Sequence, residues 1–245
     1  DEPPIPLEDN NSGSNGGFDF SGGGGSPLSS TPDPPKEEPT DPCESLKNKM
    51  STASFTQTVN NLKGLTGGNY EAGRAYTYNN GTYNFTNHDG NPGEPEINYA
   101  PEWPSKIDGF IHSHYDGLLK TFSPADLVAP YNWFTYKNGI NDMNTFSLGL
   151  VTSEGTYFLF VSDWTKYSAF GKHYGDEWGT EILSLYYKND YNIKPSTDAT
   201  TSMNNLVRFL DDKNSGLTLM KDIGNNKFSI VTKDSSGNIK LVNCN

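Results

Sequence analysis

The chain has 245 residues, room for one large domain or two small ones. Its charge is uneven: residues 1–42 hold nine acidic side chains against Lys36 alone, and so carry −8 of the −12 formal charge. The remainder is only mildly acidic and has no basic run or basic helix, which excludes the electrostatic footprint of a nucleic-acid-binding protein, and no apolar run is long enough to span a membrane.

Residues 1–42 are rich in Pro, Gly, Ser and Asn and include the run Gly22–Gly25. Such a segment cannot bury enough apolar surface to offset its chain entropy, and it reads as a disordered tether to a folded domain over residues 43–245. The chain starts at Asp1, which fits a leader already removed and attachment to a membrane surface through a lipidated residue just upstream. A precursor without a signal peptide would refute that expectation of an exported, lipid-anchored protein. Cys43 stands where the low-complexity segment ends and Cys244 beside the last residue. A disulfide would tie the two ends of the domain together; two buried free thiols are the alternative.

Within the domain, Leu46, Met50, Phe55, Val59 and Leu62 recur at helical spacing over residues 44–63, in one piece or two. Gly67 and Gly68 punctuate. Two Tyr-rich alternating runs flank Asn79-Asn80-Gly81 and form a hairpin. Residues 87–106, full of Pro, Gly and Asn, read as a long loop, and residues 107–114 as a strand. A short helix follows Ser123, which is a natural cap before Pro124 and, with Asp126, makes a box-like cap. TFSLGLVTS and GTYFLFVSD pair as a hairpin across Glu154-Gly155. Residues 176–190 and 198–213 read as helices, and three strands close the chain as a meander with turns at 224–226 and 235–238. The resulting fold class is α+β: a mixed β-sheet flanked by helices, with a C-terminal antiparallel meander and the N-terminal tether.

The stretch that carries chemistry is HSHYDGLLKTFSPAD. His112 and His114 are two apart, which on a strand places both imidazoles on one face. Asp126 follows in the first turn of a helix. Two imidazoles and a carboxylate leave one coordination position open, the arrangement of a catalytic Zn2+ site, whereas structural zinc sites are closed by four protein ligands. Each piece alone has a plainer explanation: H-x-H is a weak pattern, and Ser123 with Asp126 is accounted for by capping. The conjunction gives it weight. The other two histidines, His88 and His173, read as solvated side chains. The aromatics around the motif (Tyr115, Tyr131, Trp133, Phe134, Tyr136, Trp164 and Trp178) read as core, with a substrate groove as the alternative.

H-x-H-x8-S-x-x-D after an apolar strand resembles the signature of the JAMM (JAB, MPN+) zinc metallopeptidases, and the resemblance covers residues 65–165. It implies a JAMM/cytidine-deaminase-like core. It also implies zinc on His112, His114 and Asp126, an intermediate-stabilising role for Ser123, and a general acid/base on an earlier strand. Glu71, at the start of the first hairpin, occupies that place; Glu94, Glu96 and Glu102 are nearer in sequence but lie in the Pro-rich loop. The start at Cys43 and the closing meander resemble elaborations of secreted Bacteroidetes-type members. Two features depart from the pattern: eight residues separate His114 from Ser123 where seven is more usual, and Tyr115 stands where many members have proline. The expected activity is hydrolysis of a peptide or isopeptide bond in a peptide or protein substrate. The alternatives are a zinc-retaining or inactive surface binding module, a hydrolase of some other amide, and a domain whose histidines bind nothing.

Overall fold

The computed structural model describes residues 40–97 and 104–244. The tether assigned to residues 1–42 lies outside the described residues as far as 39, and so does the 98–103 part of the long loop. The described residues form six helices and one eight-stranded sheet of order β2-β1-β3-β4-β5-β6-β7-β8. Its strands are β1 (Ala72–Asn79), β2 (Thr82–Asp89), β3 (Gly109–Ser113), β4 (Ser147–Thr152), β5 (Gly155–Val161), β6 (Leu217–Gly224), β7 (Lys227–Lys233) and β8 (Ile239–Asn243). Neighbours run antiparallel except β3 and β4. A parallel pair needs a crossover connection, and α3 (Pro124–Thr135) lies within it. The mixed sheet with flanking helices is the α+β architecture expected, and its last three strands are the antiparallel meander.

Alternation along the central strands divides the apolar residues between two layers. Phe110, Leu148, Leu150 and Leu159 face α3, α4 (Trp164–Tyr174), α5 (Glu177–Asn189) and α6 (Ala199–Asp212). Ile111, Val151, Phe158 and Phe160 face α1 (Pro42–Ser51) and α2 (Ala53–Lys63). The helical region therefore comes in two pieces, broken at Thr52. It starts at Pro42, two residues earlier than the expected 44, because Asp41 caps α1 and Pro42 suits the first turn. Cys43 and Cys244 are joined in a disulfide with Cα atoms 5.4 Å apart, tying α1 to the end of β8.

Three readings are corrected. The loop begins after Asp89 rather than at 87, because β2 keeps pairing with β1 as far as Ala72↔Asp89. The β4–β5 turn is centred on Ser153-Glu154, with Thr152 opposite Gly155. Helix α4 was not anticipated: its residues include four aromatics and Gly171, a composition with low helix propensity. Packing explains the glycine, since a Cβ there would come within 2.2 Å of the Tyr131 ring.

Candidate metal centre

His112 lies inside β3, paired across to Leu150 of β4, and His114 extends the same strand by donating its backbone N–H to Val151 at 2.9 Å. The two-residue period brings both rings to the α3 side of the sheet, with Nε2 atoms 3.2 Å apart. Ser113, between them, points the other way and accepts from the Ala72 backbone at 3.1 Å.

Asp126 arrives from helix α3. Ser123 Oγ accepts from the Asp126 backbone N–H at 3.2 Å, and Asp126 Oδ2 accepts from the Ser123 N–H at 2.6 Å, a reciprocal capping box. The cap also aims the other carboxylate oxygen: Oδ1 lies 3.3 Å from His112 Nε2, and Oδ2 lies 3.9 Å from His114 Nε2. The capping reading and the ligand reading of Asp126 are thus compatible, because each uses a different oxygen.

These spacings can be compared with coordination geometry. Donors about 2.0–2.1 Å from a tetrahedral ion sit about 3.3 Å apart. The donor atoms of His112, His114 and Asp126 all fall within 4.8 Å of one another and are buried, so the three could hold a metal ion. His114 is fixed in the tautomer this requires: its Nδ1–H donates to the Leu119 carbonyl at 2.8 Å, leaving the Nε2 lone pair toward the site. The Gly149 backbone adds to the influences that raise the His112 pKa. The Leu119 carbonyl is not signalled by residue type, which is why the sequence did not disclose it.

Glu71, immediately before β1, completes the cluster. Its backbone carbonyl accepts from Gly90 N–H at 2.7 Å, and its Oε1 lies 3.5 Å from His114 Nε2. Glu71, His112, His114, Ser123 and Asp126 are each at most 3% exposed. Burial pushes the Glu71 carboxyl up to about 8, with the charges of Asp126 and Glu96 adding to the rise and His112 opposing it. Burial, reinforced by the neighbouring His112, lowers His114 to about 4. Burial alone would lower His112 and raise Asp126, but their mutual attraction wins: His112 is raised and Asp126 is held below the usual carboxylate range.

His88 is a correction. It is 1% exposed rather than solvated, and sits on β2 opposite Gly73, which is itself opposite His112. The three positions share a row across the sheet. Gly73 leaves room in that row: a Cβ there would lie 2.5 Å from Phe110 Cζ and 2.8 Å from the His88 carbonyl. The Phe110 ring fills the space, stacked on His112 at 6.0 Å and 6.4 Å from His88. Continuing the β2 alternation through Asn87 was the available signal. His173 is exposed, as expected.

Tyr131, Trp133 and Trp164 belong to the core, and Phe134 packs against it, whereas Tyr136 and Trp178 are exposed at 54% and 70%. Tyr115 is partly exposed and feels the Glu71 charge. Glu102 lies outside the described residues. A groove of about 430 Å3 opens elsewhere, between α6 and strands β6 and β7, and none of the five clustered residues lines it. No helix among the described residues is long and apolar enough to cross a membrane. In comparisons with known proteins, no protein-family model, no curated protein and no solved structure matches this chain.

Proposed function

We propose that this protein is a zinc-dependent hydrolase that cleaves a peptide or isopeptide bond, with Glu71 as its general acid/base. The observation that carries the reading is the approach of Glu71 Oε1 to 3.5 Å from His114 Nε2, beside a buried His-His-Asp donor set. His112, His114 and Asp126 would hold the zinc, which when bound would supply Lewis acidity and lower the pKa of water toward neutrality. Glu71 would exchange the proton: its buried carboxylate, placed beside the donor set, would take one from the attacking water and pass it to the leaving amine. The Ser123 hydroxyl accepts from the Asp126 N–H, which leaves its own proton to donate to a developing oxyanion. Burial of the whole cluster excludes bulk water and strengthens each of these contacts. The choice of an amide substrate rests on the resemblance of H-x-H-x8-S-x-x-D to the JAMM metallopeptidases. The Cys43–Cys244 disulfide supports an exported location.

The burial that favours chemistry also supports a second reading, a metal-retaining surface module that recognises a partner without turning it over. One experiment separates them. Metal content is measured for the parent, His112→Ala and Glu71→Gln, and each is assayed on peptide, isopeptide and cell-wall amide substrates. The hydrolase reading expects about one zinc per parent chain and little in His112→Ala. It also expects Glu71→Gln to keep zinc while losing turnover about 100-fold or more. Undiminished turnover in Glu71→Gln would remove that residue from the chemistry. Zinc without turnover in the parent would favour the binding module.

A further inference from the structure

His114 presents Nε2 to the metal centre only while its Nδ1–H is held by the Leu119 carbonyl, 2.8 Å away. Leu119 belongs to the turn of residues 115–120 that leaves β3, a turn that includes Gly117 at φ +108°. A loop carbonyl can orient a ring only if the loop itself is held. The structure shows what holds it. Lys120, next to Leu119, places its Nζ 3.0 Å from Glu154 Oε1 and 3.9 Å from Asp116 Oδ1. Asp116 Oδ1 accepts from Ser153 Oγ at 2.6 Å, and the Asp116 backbone N–H donates to Thr66 at 3.1 Å. Ser153 and Glu154 are the turn of the β4–β5 hairpin, and β4 is the strand paired directly with β3. The hairpin turn therefore grips, from the side, the loop whose carbonyl orients the ligand.

We infer that Lys120 and Glu154 form a positioning clamp for His114, acting through the Leu119 carbonyl to set metal affinity rather than fold stability. This rests on the metal-centre reading above. The balance of effects follows from exposure. The Lys120 side chain is 18% exposed and that of Glu154 44%, so the pair is screened and adds little to global stability. Groups that orient a metal-binding histidine, by contrast, typically change affinity 10–100-fold when altered.

The test uses the full chain and zinc itself. Zinc affinity is measured by competition with a chromogenic chelator for the parent, Lys120→Met, Glu154→Gln and Lys120→Arg. Thermal midpoints of the metal-free proteins are recorded alongside. With cobalt in place of zinc, the visible spectrum reports ligand geometry. Lys120→Met and Glu154→Gln should each weaken zinc about three- to tenfold, one step removed from the histidine's direct partner. Both should alter the cobalt spectrum and leave the metal-free midpoint within about 2 °C of the parent. Lys120→Arg, which keeps the charge and reach, should restore parental affinity. Parental zinc affinity in both Lys120→Met and Glu154→Gln overturns the clamp while leaving the metal centre standing. Failure of the parent to bind zinc overturns the metal centre, and the clamp with it.

Discussion

Asp126 and Ser123 hold each other twice: the serine oxygen accepts from the aspartate N–H at 3.2 Å, and the aspartate Oδ2 accepts from the serine N–H at 2.6 Å. The same four-residue step that starts helix α3 therefore delivers a carboxylate oxygen to within 3.3 Å of His112 Nε2. A helix cap and a carboxylate that could hold a metal ion are built from one motif. This economy makes simple alanine substitution ambiguous here, because stability and chemistry would fall together.

Ser123 allows the two to be separated. Replacing a capping serine with alanine costs about 0.5–2 kcal/mol, whereas glycine costs only a few tenths. Both substitutions delete the hydroxyl. Ser123→Gly should stay close to the parent in chemical denaturation, and Ser123→Ala should be measurably weaker. If the hydroxyl serves the developing oxyanion, both should lower kcat by about 100-fold or more on whatever amide the parent cleaves. A Ser123→Gly variant with parental kcat would reduce Ser123 to a cap.

Lys49 predicts a pH dependence of stability. It is buried, donates to Ser45 Oγ and to the Thr145 carbonyl at 2.9 Å each, and is lowered by burial to about 8 from 10.5. Here the folded pKa lies below the unfolded one, so the unfolded chain binds the extra proton between those values. The charged lysine therefore costs stability below pH 8, and the cost is relieved as pH rises toward 10.5. Urea denaturation of the parent and Lys49→Met at pH 7 and pH 10 should show the difference moving in the parent's favour by about 2 kcal/mol. A difference that does not change with pH would mean that Lys49 keeps an ordinary affinity for its proton.

The Cys43–Cys244 bridge closes a loop with a sequence separation of 201. In the chain-entropy account such a cross-link is worth about 5 kcal/mol. Both cysteines pack with the α1 and α2 layer, on the opposite side of the sheet from the histidines. Reduction, or the Cys43→Ser and Cys244→Ser pair, should lower the thermal midpoint by roughly 10 °C or more while metal content per folded chain is retained. Loss of metal at temperatures where the reduced protein is still folded would contradict the separation of the two layers.

What the sequence by itself determined about this protein was local. Hairpin turns at Asn80-Gly81 and Gly224-Asn225-Asn226 were legible because left-handed backbone there restricts the residue choice, and all five adopt positive φ. The α3 cap was legible because a serine, a proline and an acid at fixed offsets satisfy the first-turn N–H groups. The two-residue period of His112 and His114 required only that they lie on a strand. Tertiary structure decided what depends on partners distant in the chain. It carried β2 through His88 and buried that ring beside Phe110, and it packed the Trp164–Tyr174 helix so closely on Tyr131 that only glycine fits at 171. It also set Glu71 against His114 and supplied the Leu119 carbonyl through a loop held by Lys120. Periods and caps act over a few residues, so one segment suffices to reveal them. Burial, carboxyl pKa and ligand orientation are set by strand order and layer packing, which no single segment encodes.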